Sequence, residues 1–479
     1  MKLAVFADIH LDPERKRPEC LGHLGDVLLT RAVFYINRFI RPDAVAFLGD
    51  LVEDAESDNC IARFQQLREA IDKVNAPLVT LPGNHDGPSE EFFEVFGAPP
   101  EYLDVAGARL VPMADLQTEG FNAYRTPENL QRMQRAAIDA PGPLISLQHV
   151  PLFPPGKGES IYNYTNAEEV LEVMEQNNYS LSISGHYHPG MEAVSSGSVT
   201  CTAVPALCEP PFTILEIEIE SDGIKNLQAH ELQLPEGLNL TDWHVHTEFA
   251  YCSQNMEIGR ALQMGKALGL ETVNFVEHSG QLYFPPDTFW TGAFMEDGIE
   301  AARTEDCRMD EFFRAIAESG VPLGTWGFEV DCDFQGRPVL LPEHEARGSF
   351  TIGATHWLPS TRGQESFDKD RAGRELMEIL PKFLNPRLTA LAHPFRVFAR
   401  ADITPPAWIF PEVVKLLKEH DVAAEINFHN QTPPAEFIEM CLNEGVKLCL
   451  GSDSHNLAEI GFFHPHLQLL SQLGVGRSE

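Results

Sequence analysis

The sequence predicts an α/β protein built in two successive halves, and three observations carry that prediction. Short apolar runs end directly in Asp, Gly, Asn or His, as buried strands do when they deliver polar side chains to a sheet edge. Segments with apolar residues at helical spacing separate those runs. Pro and Gly then interrupt the pattern at residues 234–240, Leu-Pro-Glu-Gly-Leu-Asn-Leu, after which strand and helix units start anew.

In the first half the predicted strands cover 3–7, 44–48, 78–81, 144–147 and 181–184. Helices are expected over 58–74, where Ile61, Phe64, Leu67, Ile71 and Val74 repeat at helical spacing, and over 167–176. Residues 213–220, Thr-Ile-Leu-Glu-Ile-Glu-Ile-Glu, alternate with period two and predict a half-buried antiparallel strand. In the second half strands are expected over 272–276, 327–330, 350–354, 389–391, 423–426 and 447–450, with helices over 310–318, 371–383 and 411–420. Repeated strand–helix units over some 240 residues predict an α/β barrel, with its site built from residues just after the strands.

Composition narrows the function. The 479 residues hold 71 Asp+Glu against 35 Lys+Arg, a formal charge of −36. That field repels nucleic-acid backbones and anionic membranes, so neither a nucleic-acid polymer nor a membrane is an expected partner. Asp8 and His10 interrupt the apolar start before a signal-peptide core can form, and no apolar run is long enough to span a bilayer; a cytoplasmic location is expected. Nine scattered Cys without a C-x-x-C pair read as reduced thiols.

The strand ends of the first half give, in order, Asp8-x-His10, Gly49-Asp50, Gly83-Asn84-His85-Asp86, Gln148-His149 and Gly185-His186-Tyr187-His188. Each piece alone is ordinary turn or capping chemistry. Together they supply oxygen and imidazole donors that suit two first-row divalent ions, such as manganese, iron, zinc or cobalt, better than magnesium. Such a pair can activate water and neutralise charge on a transferring phosphoryl group. The set resembles the calcineurin-like metallophosphoesterase family over residues 1–220, closest to its cyclic-nucleotide phosphodiesterase-like branch. That resemblance implies a four-layer α/β/β/α sandwich over 1–237. It also implies that Asp8, His10 and His188 hold one ion, that Asp50 bridges, and that Asn84, His149 and His186 hold the second. His85 would stay off the ions and serve the leaving oxygen as proton donor or charge stabiliser. Two departures stand out: the family's Gly-Asp-x-x-Asp reads Gly49-Asp50-Leu51-Val52-Glu53, which points to a changed supporting contact, and the His149 segment is Gln-His-Val-Pro.

The second half opens with Asp242-Trp243-His244-Val245-His246-Thr247-Glu248-Phe249. In a strand His244 and His246 share a face, so they can chelate one ion. Glu277-His278, Gly327-Phe328-Glu329-Val330-Asp331, Thr355-His356-Trp357, Ala392-His393-Pro394 and Gly451-Ser452-Asp453-Ser454-His455 follow where strands should end. A single His in such a run is usually a satisfied imidazole, but six in register with Glu329 and Asp453 are not. With Glu425-Ile426-Asn427, this order resembles the PHP phosphoesterase superfamily, particularly its histidinol-phosphatase-like members. The resemblance implies a distorted (β/α)7 barrel over 238–479. It implies that His244, His246, Glu329 and Asp453 bind one ion, that Glu329 bridges to a second held by His356 and His393, and that His278 and His455 contribute to a third. Cys252 stands near where the family often has a third-metal His; a thiolate can bind zinc, so a trinuclear site is retained or its third ion binds weakly. Arg396 is a candidate phosphate fork or a surface salt bridge. The aromatic segment 281–294 could cap this site or pack as a loop, and His429 could approach it.

The favoured function is a bifunctional metal-dependent phosphoesterase acting on a small phosphorylated metabolite or nucleotide. The first domain would open a diester or cyclic phosphate and the second remove a monoester. A nuclease or DNA-repair role is opposed by the charge and by the lack of a basic run. A third reading makes one domain catalytic and the other a regulatory metal-binding module. Of the 18 His, 11 fall in the two constellations, so the His excess is largely ligand supply.

Overall fold

The computed structural model describes residues 1–14, 19–87, 90–220, 223–302, 307–362, 367–384 and 387–476. The chain divides into two compact units, Met1–Gln233 and Leu234–Glu479.

The first unit holds β1 (Lys2–Phe6), β2 (Ala44–Leu48), β3 (Leu78–Leu81), β4 (Leu103–Val105), β5 (Ala108–Pro112), β6 (Leu116–Gln117), β7 (Ala123–Tyr124), β8 (Leu144–Leu147), β9 (Tyr179–Ser184), β10 (Met191–Ser196), β11 (Val199–Ala203), β12 (Thr213–Glu220) and β13 (Gly223–Glu231). Its helices include α1 (Gly25–Tyr35), α2 (Cys60–Ile71), α3 (Glu90–Phe96), α4 (Pro127–Ala136) and α5 (Ala167–Gln176). One sheet has the order β13-β12-β1-β2-β3 and a second β10-β11-β9-β8-β5-β4. Alternate residues of both sheets meet in one core: Leu3, Val5 and Ala7 with Ala46, Leu48, Leu215 and Ile217 from one, and Leu110, Ile145, Leu147, Leu181 and Ile183 from the other. The sheets therefore pack face to face, each turning alternate side chains toward the other. Leu130 and Met133 of α4 and Val170, Leu171 and Met174 of α5 join Val111 and Leu144 in a separate cluster on the outer side of the second sheet. On the first sheet the opposite face, Ala4, Phe6, Val45 and Phe47, is also fully buried, with Phe6 stacked on Phe47. Burial on both faces is why these strands read as continuous apolar runs.

The second unit holds β14 (Thr241–Val245), β15 (Thr272–His278), β16 (Trp326–Asp331), β17 (Phe350–Ala354), β18 (Leu388–Leu391), β19 (Ala423–Asn427) and β20 (Leu448–Gly451). These seven pair in chain order, every pair parallel. The sheet curls until its ends meet: the Asp453 N–H donates to His244 O at 2.7 Å, and the His246 N–H to Ser454 O at 3.1 Å. The result is a nearly closed parallel barrel. Small and β-branched residues, Val276, Ile352, Ala354, Ala390, Ala392 and Ala423, cluster along it. The helix expected over 371–383 spans Lys369–Phe383, because the Asp368 carboxylate accepts the N–H groups of Asp370 and Arg371 and so caps an earlier start.

Candidate active sites

In the first unit every predicted site residue lies just past the C-terminal end of a parallel strand: Asp8 and His10 after β1, Asp50 after β2, Asn84 and His85 after β3, His149 after β8, His186 and His188 after β9. Because β1, β2 and β3 run parallel, as do β8 and β9, these ends open onto one edge. Asp8, His10 and His188 offer ligand atoms within 4.8 Å of one another, as do Asp50, His149 and His186, and His10, Asp50 and His85. Between the first two groups sits the Asp50 carboxylate, whose Oδ2 lies 3.5 Å from His10 Nε2 and 3.2 Å from His149 Nε2. Asn84 Oδ1 is 3.1 Å from the same His149 nitrogen.

The spacing between imidazoles fits an ion. His10 Nε2 and His188 Nε2 face each other at 3.1 Å, and so do His186 Nδ1 and His149 Nε2. With metal–nitrogen bonds of about 2.1 Å, neighbouring ligands around one ion stand roughly 3 Å apart. The opposite nitrogens are already engaged: His149 Nδ1–H donates to Leu48 O at 2.6 Å, His188 Nδ1 meets Glu209 Oε1 at 2.7 Å, His10 Nδ1 lies 3.1 Å from Glu53 Oε2, and His186 Nε2–H donates to Phe121 O at 3.1 Å. Such contacts fix the tautomer and aim the free nitrogen inward. Glu53 thus fills the supporting role that its departure from Asp implied. His85 is anchored separately, through Nδ1 to Glu53 O at 2.7 Å and through its N–H to Asp50 Oδ1 at 2.8 Å.

Electrostatics in this nest follow from packing opposite charges without water. Burial lowers the His149 imidazole, but Asp50 beside it outweighs that and lifts it to about 10. Burial would raise the Asp50 carboxyl, and His149 instead holds it well below the usual range. His186, buried next to His149, falls to about 3. One imidazole ready to protonate and one that resists it mark a site where protons and cations compete for the same lone pairs.

The barrel site has the same logic around Glu329. Its Oε1 lies 2.7 Å from His393 Nε2 and 3.3 Å from His356 Nε2. Its Oε2 touches His278 Nδ1 and stands 3.6 Å from His246 Nε2 and 3.7 Å from His244 Nε2. Asp453 Oδ1 completes that side, 3.2 Å from His246 Nε2 and 3.5 Å from His244 Nε2. His244 Nε2 and His246 Nε2 are 3.1 Å apart. A further group, His246, His278 and His455, lies within ligand reach, and the buried His455 Nε2 has no hydrogen-bond partner among the described residues. Both donor sets therefore fit divalent ions.

Three carboxylates hold these imidazoles from behind: Glu425 on His244 Nδ1 at 2.8 Å, Glu277 on His246 Nδ1 at 3.2 Å, and Asp331 on His356 Nδ1 at 2.7 Å. All three stand in the strand-end motifs without a role that the sequence could assign. Glu209 lies outside any motif.

A cavity of about 390 Å³ opens on this set, lined by His278, His356, His455, Arg396, Arg400 and Trp290 among others. Arg396 is in place, but its Nη2 is committed to Asp453 Oδ2 at 2.5 Å and Asn427 Oδ1 at 3.1 Å. Arg400, one turn later, lies over the Trp357 ring and donates to His356 O. Cys252 sits against His278, Sγ to Nε2 4.0 Å, and accepts from Gln281. His429 stacks on His455 with ring centroids 5.0 Å apart. The aromatic segment divides: Phe289 and Trp290 reach the cavity, whereas Phe284 and Phe294 stack on each other and are buried.

Residues 1–190 match the calcineurin-like phosphoesterase family. The N-terminal segment is thus a metallophosphoesterase domain, and the chain is a metal-dependent phosphoric ester hydrolase. A probable cyclic nucleotide phosphodiesterase of Synechococcus is 25% identical over 244 residues, covering 48% of this chain and 92% of that protein. The 3',5'-cyclic adenosine monophosphate phosphodiesterase CpdA of Escherichia coli is 27% identical over 201 residues, 39% of this chain and 70% of its own. Among solved structures, a dimetal phosphatase from Danio rerio aligns with TM-score 0.40 and 16% identity, covering 48% of this chain and 96% of that one. A protein from Listeria monocytogenes assigned as a histidinol phosphatase aligns with TM-score 0.34 and 18% identity, over 46% and 97%.

Proposed function

We propose that the chain is a bifunctional phosphoesterase with one catalytic site per unit. A calcineurin-like domain, residues 1–237, would open a phosphodiester or cyclic phosphate of a small nucleotide or metabolite. A PHP domain, residues 238–479, would remove a phosphomonoester, and both would act in the cytoplasm. The carrying observation is that each unit converges a full donor set on one shared carboxylate, Asp50 in the first and Glu329 in the second. A scaffold domain that had lost catalysis would have no need to keep that many imidazoles oriented from behind.

Divalent manganese, iron or zinc, two in the first site and two or three in the second, would supply Lewis acidity and a nucleophile from water at neutral pH. The chain's own residues do the rest. Asp8, His10, His188, Asp50, Asn84, His149 and His186 hold the ions of the first site, and His85, fixed by the Glu53 carbonyl, stands ready to give a proton to the leaving oxygen. In the second site His244, His246, Glu329, Asp453, His356 and His393 hold two ions, with His278, His455 and Cys252 around a third. Arg396 and Arg400 both line the cavity and are the candidate phosphate-binding groups there, Arg396 with one guanidinium nitrogen already on Asp453. The relatives named as cyclic nucleotide phosphodiesterases support a diester or cyclic substrate for the first site.

The test is phosphate release and diester cleavage measured on wild type, Asp50→Ala and Glu329→Ala in parallel, with manganese, iron or zinc supplied. Asp50→Ala should abolish only diester cleavage and Glu329→Ala only monoester cleavage. One variant removing both activities would make one unit a regulatory module, and an inert wild type would end the proposal.

A further inference from the structure

Outside the ligand sets, two cysteines of the first unit meet. Their Sγ atoms, on Cys20 and Cys208, lie 3.3 Å apart although 188 residues separate them, and the residues are 6% and 0% exposed. With Ala206 they form a small buried cluster. The Leu21 N–H donates to Cys208 O at 2.8 Å and pins the two segments together. Both segments also reach the first ion set. The Cys208 N–H donates to Asp8 O at 3.0 Å, and the Asp12 N–H, two residues after His10, donates to Gly22 O, two residues after Cys20, at 3.2 Å. Glu209, next to Cys208, is the residue that holds His188 Nδ1.

We propose that Cys20 and Cys208 are a site of reversible oxidative cross-linking that couples the redox state to the ligands of the first site. The functional half rests on that site being a phosphoesterase; the cross-link itself does not. The oxidant is a hydroperoxide. One thiolate attacks the peroxide oxygen, leaving a sulfenic acid and releasing water or an alcohol. The second thiol then displaces the hydroxyl as water and forms the S–S bond, so two thiols lose two electrons and two protons to the peroxide. A dithiol reductant reverses the reaction by exchange. A disulfide needs about 2.05 Å between sulfurs, so the pair must close by more than 1 Å. Buried side chains pass such a shift to the backbones that carry Asp8, Glu209 and, through it, His188. A displacement of about 1 Å at a catalytic group is worth roughly a hundredfold in rate.

The manganese-loaded full chain should be treated with diamide, a thiol-specific oxidant that is itself reduced to a hydrazine, then alkylated and peptide-mapped without reduction. A Cys20–Cys208 linked peptide is expected, with hydrolysis of bis(4-nitrophenyl) phosphate falling about 10- to 100-fold and returning with dithiothreitol. Cys20→Ser and Cys208→Ser should each keep basal activity and resist the loss. Absence of the linked peptide while exposed Cys307 is modified, or an equal loss in both serine variants, overturns the proposal; a linked peptide with unchanged activity overturns the coupling. A wild type inert before oxidation would instead refute the phosphoesterase reading, and the peptide map would still decide the pair.

Discussion

An imidazole presents its lone pair where it is needed only if its other nitrogen is held, and in this chain that task falls partly on backbone carbonyls and partly on carboxylates, most of which the sequence reading left without a role. Glu209 and Glu53 act on His188 and His10, and Glu425 acts on His244 while also accepting the His393 N–H at 2.6 Å. Removing such a partner typically lowers metal affinity or activity about 10- to 100-fold. Glu209→Ala should therefore weaken metal binding at the first site by that factor, with diesterase activity largely recovered at saturating metal; isothermal titration of the apo protein against full-range activity curves checks both. Glu425→Ala should be harsher and resist rescue, because it strips three contacts, to His244, His393 and the Asn427 amide, from a buried barrel end, and monoesterase assays at high metal decide it. The candidate ligands stood out in the sequence because Asp, Asn and His recur together at the ends of successive apolar runs, where one such residue alone would be ordinary turn or capping chemistry. Glu209 did not, since an acidic residue in Cys-Glu-Pro-Pro looks like any loop carboxylate, and only the fold brings it to His188.

Each ligand set depends on how a strand ends. Among the described residues, Asp8, His10, Asp50, His186, His393 and Asp453 all adopt positive φ, between 30° and 64°, a conformation that disfavours side-chain-bearing residues by about 1–2 kcal/mol apiece. Six candidate ligands share it because a left-handed residue turns the chain sharply off the strand and throws its side chain back over the sheet edge. Gly49, at φ 95°, completes the turn after β2. A Cβ there would lie 2.5 Å from Gly83 N and 2.8 Å from His149 Nδ1, so Gly49→Ala must displace both the β3 loop and a ligand. We expect a loss of stability of about 2–3 kcal/mol, from strain and overpacking together, and diesterase activity reduced at least a hundredfold; urea unfolding and diester assays report the two effects. The strands that escaped sequence reading show why their signal was weak. β10 and β13 are sheet-edge strands; β10 is half exposed and polar at three of its six positions, and β13 is mostly exposed and polar at five of nine. β5 is fully buried, but Arg109 interrupts its apolar run; the guanidinium leaves the core by pairing with Asp104 at 2.6 Å and donating to Ala136 O at 2.8 Å.

At the scale of the whole molecule, the charge of −36 and the buried donor sets make one further argument. Asp8, Asp50, Glu329 and Asp453 are at most 2% exposed, inside a chain whose overall field is already negative. Imidazoles compensate them in part, yet His186 and His393 are held below their ordinary range by burial together with His149 and Arg396, respectively, so they contribute little positive charge near neutral pH. Divalent cations are the natural counterweight, and their binding is stabilisation of the folded state. An ion present at a hundred times its dissociation constant contributes about 2.7 kcal/mol, which for units of this size corresponds to roughly 5–11 °C in melting temperature. Chelation of the wild type should lower the melting transition by about that amount, and manganese or zinc should restore it. Asp50→Ala and Glu329→Ala should each lose part of the metal-dependent shift, because each removes the shared carboxylate of one set and leaves the other whole. Calorimetry of the three proteins with and without chelator measures this directly. A shift that survives in Glu329→Ala and vanishes in Asp50→Ala would place the stabilising ions in the first unit alone, and the barrel's buried carboxylates would then have to be balanced by their imidazoles and Arg396.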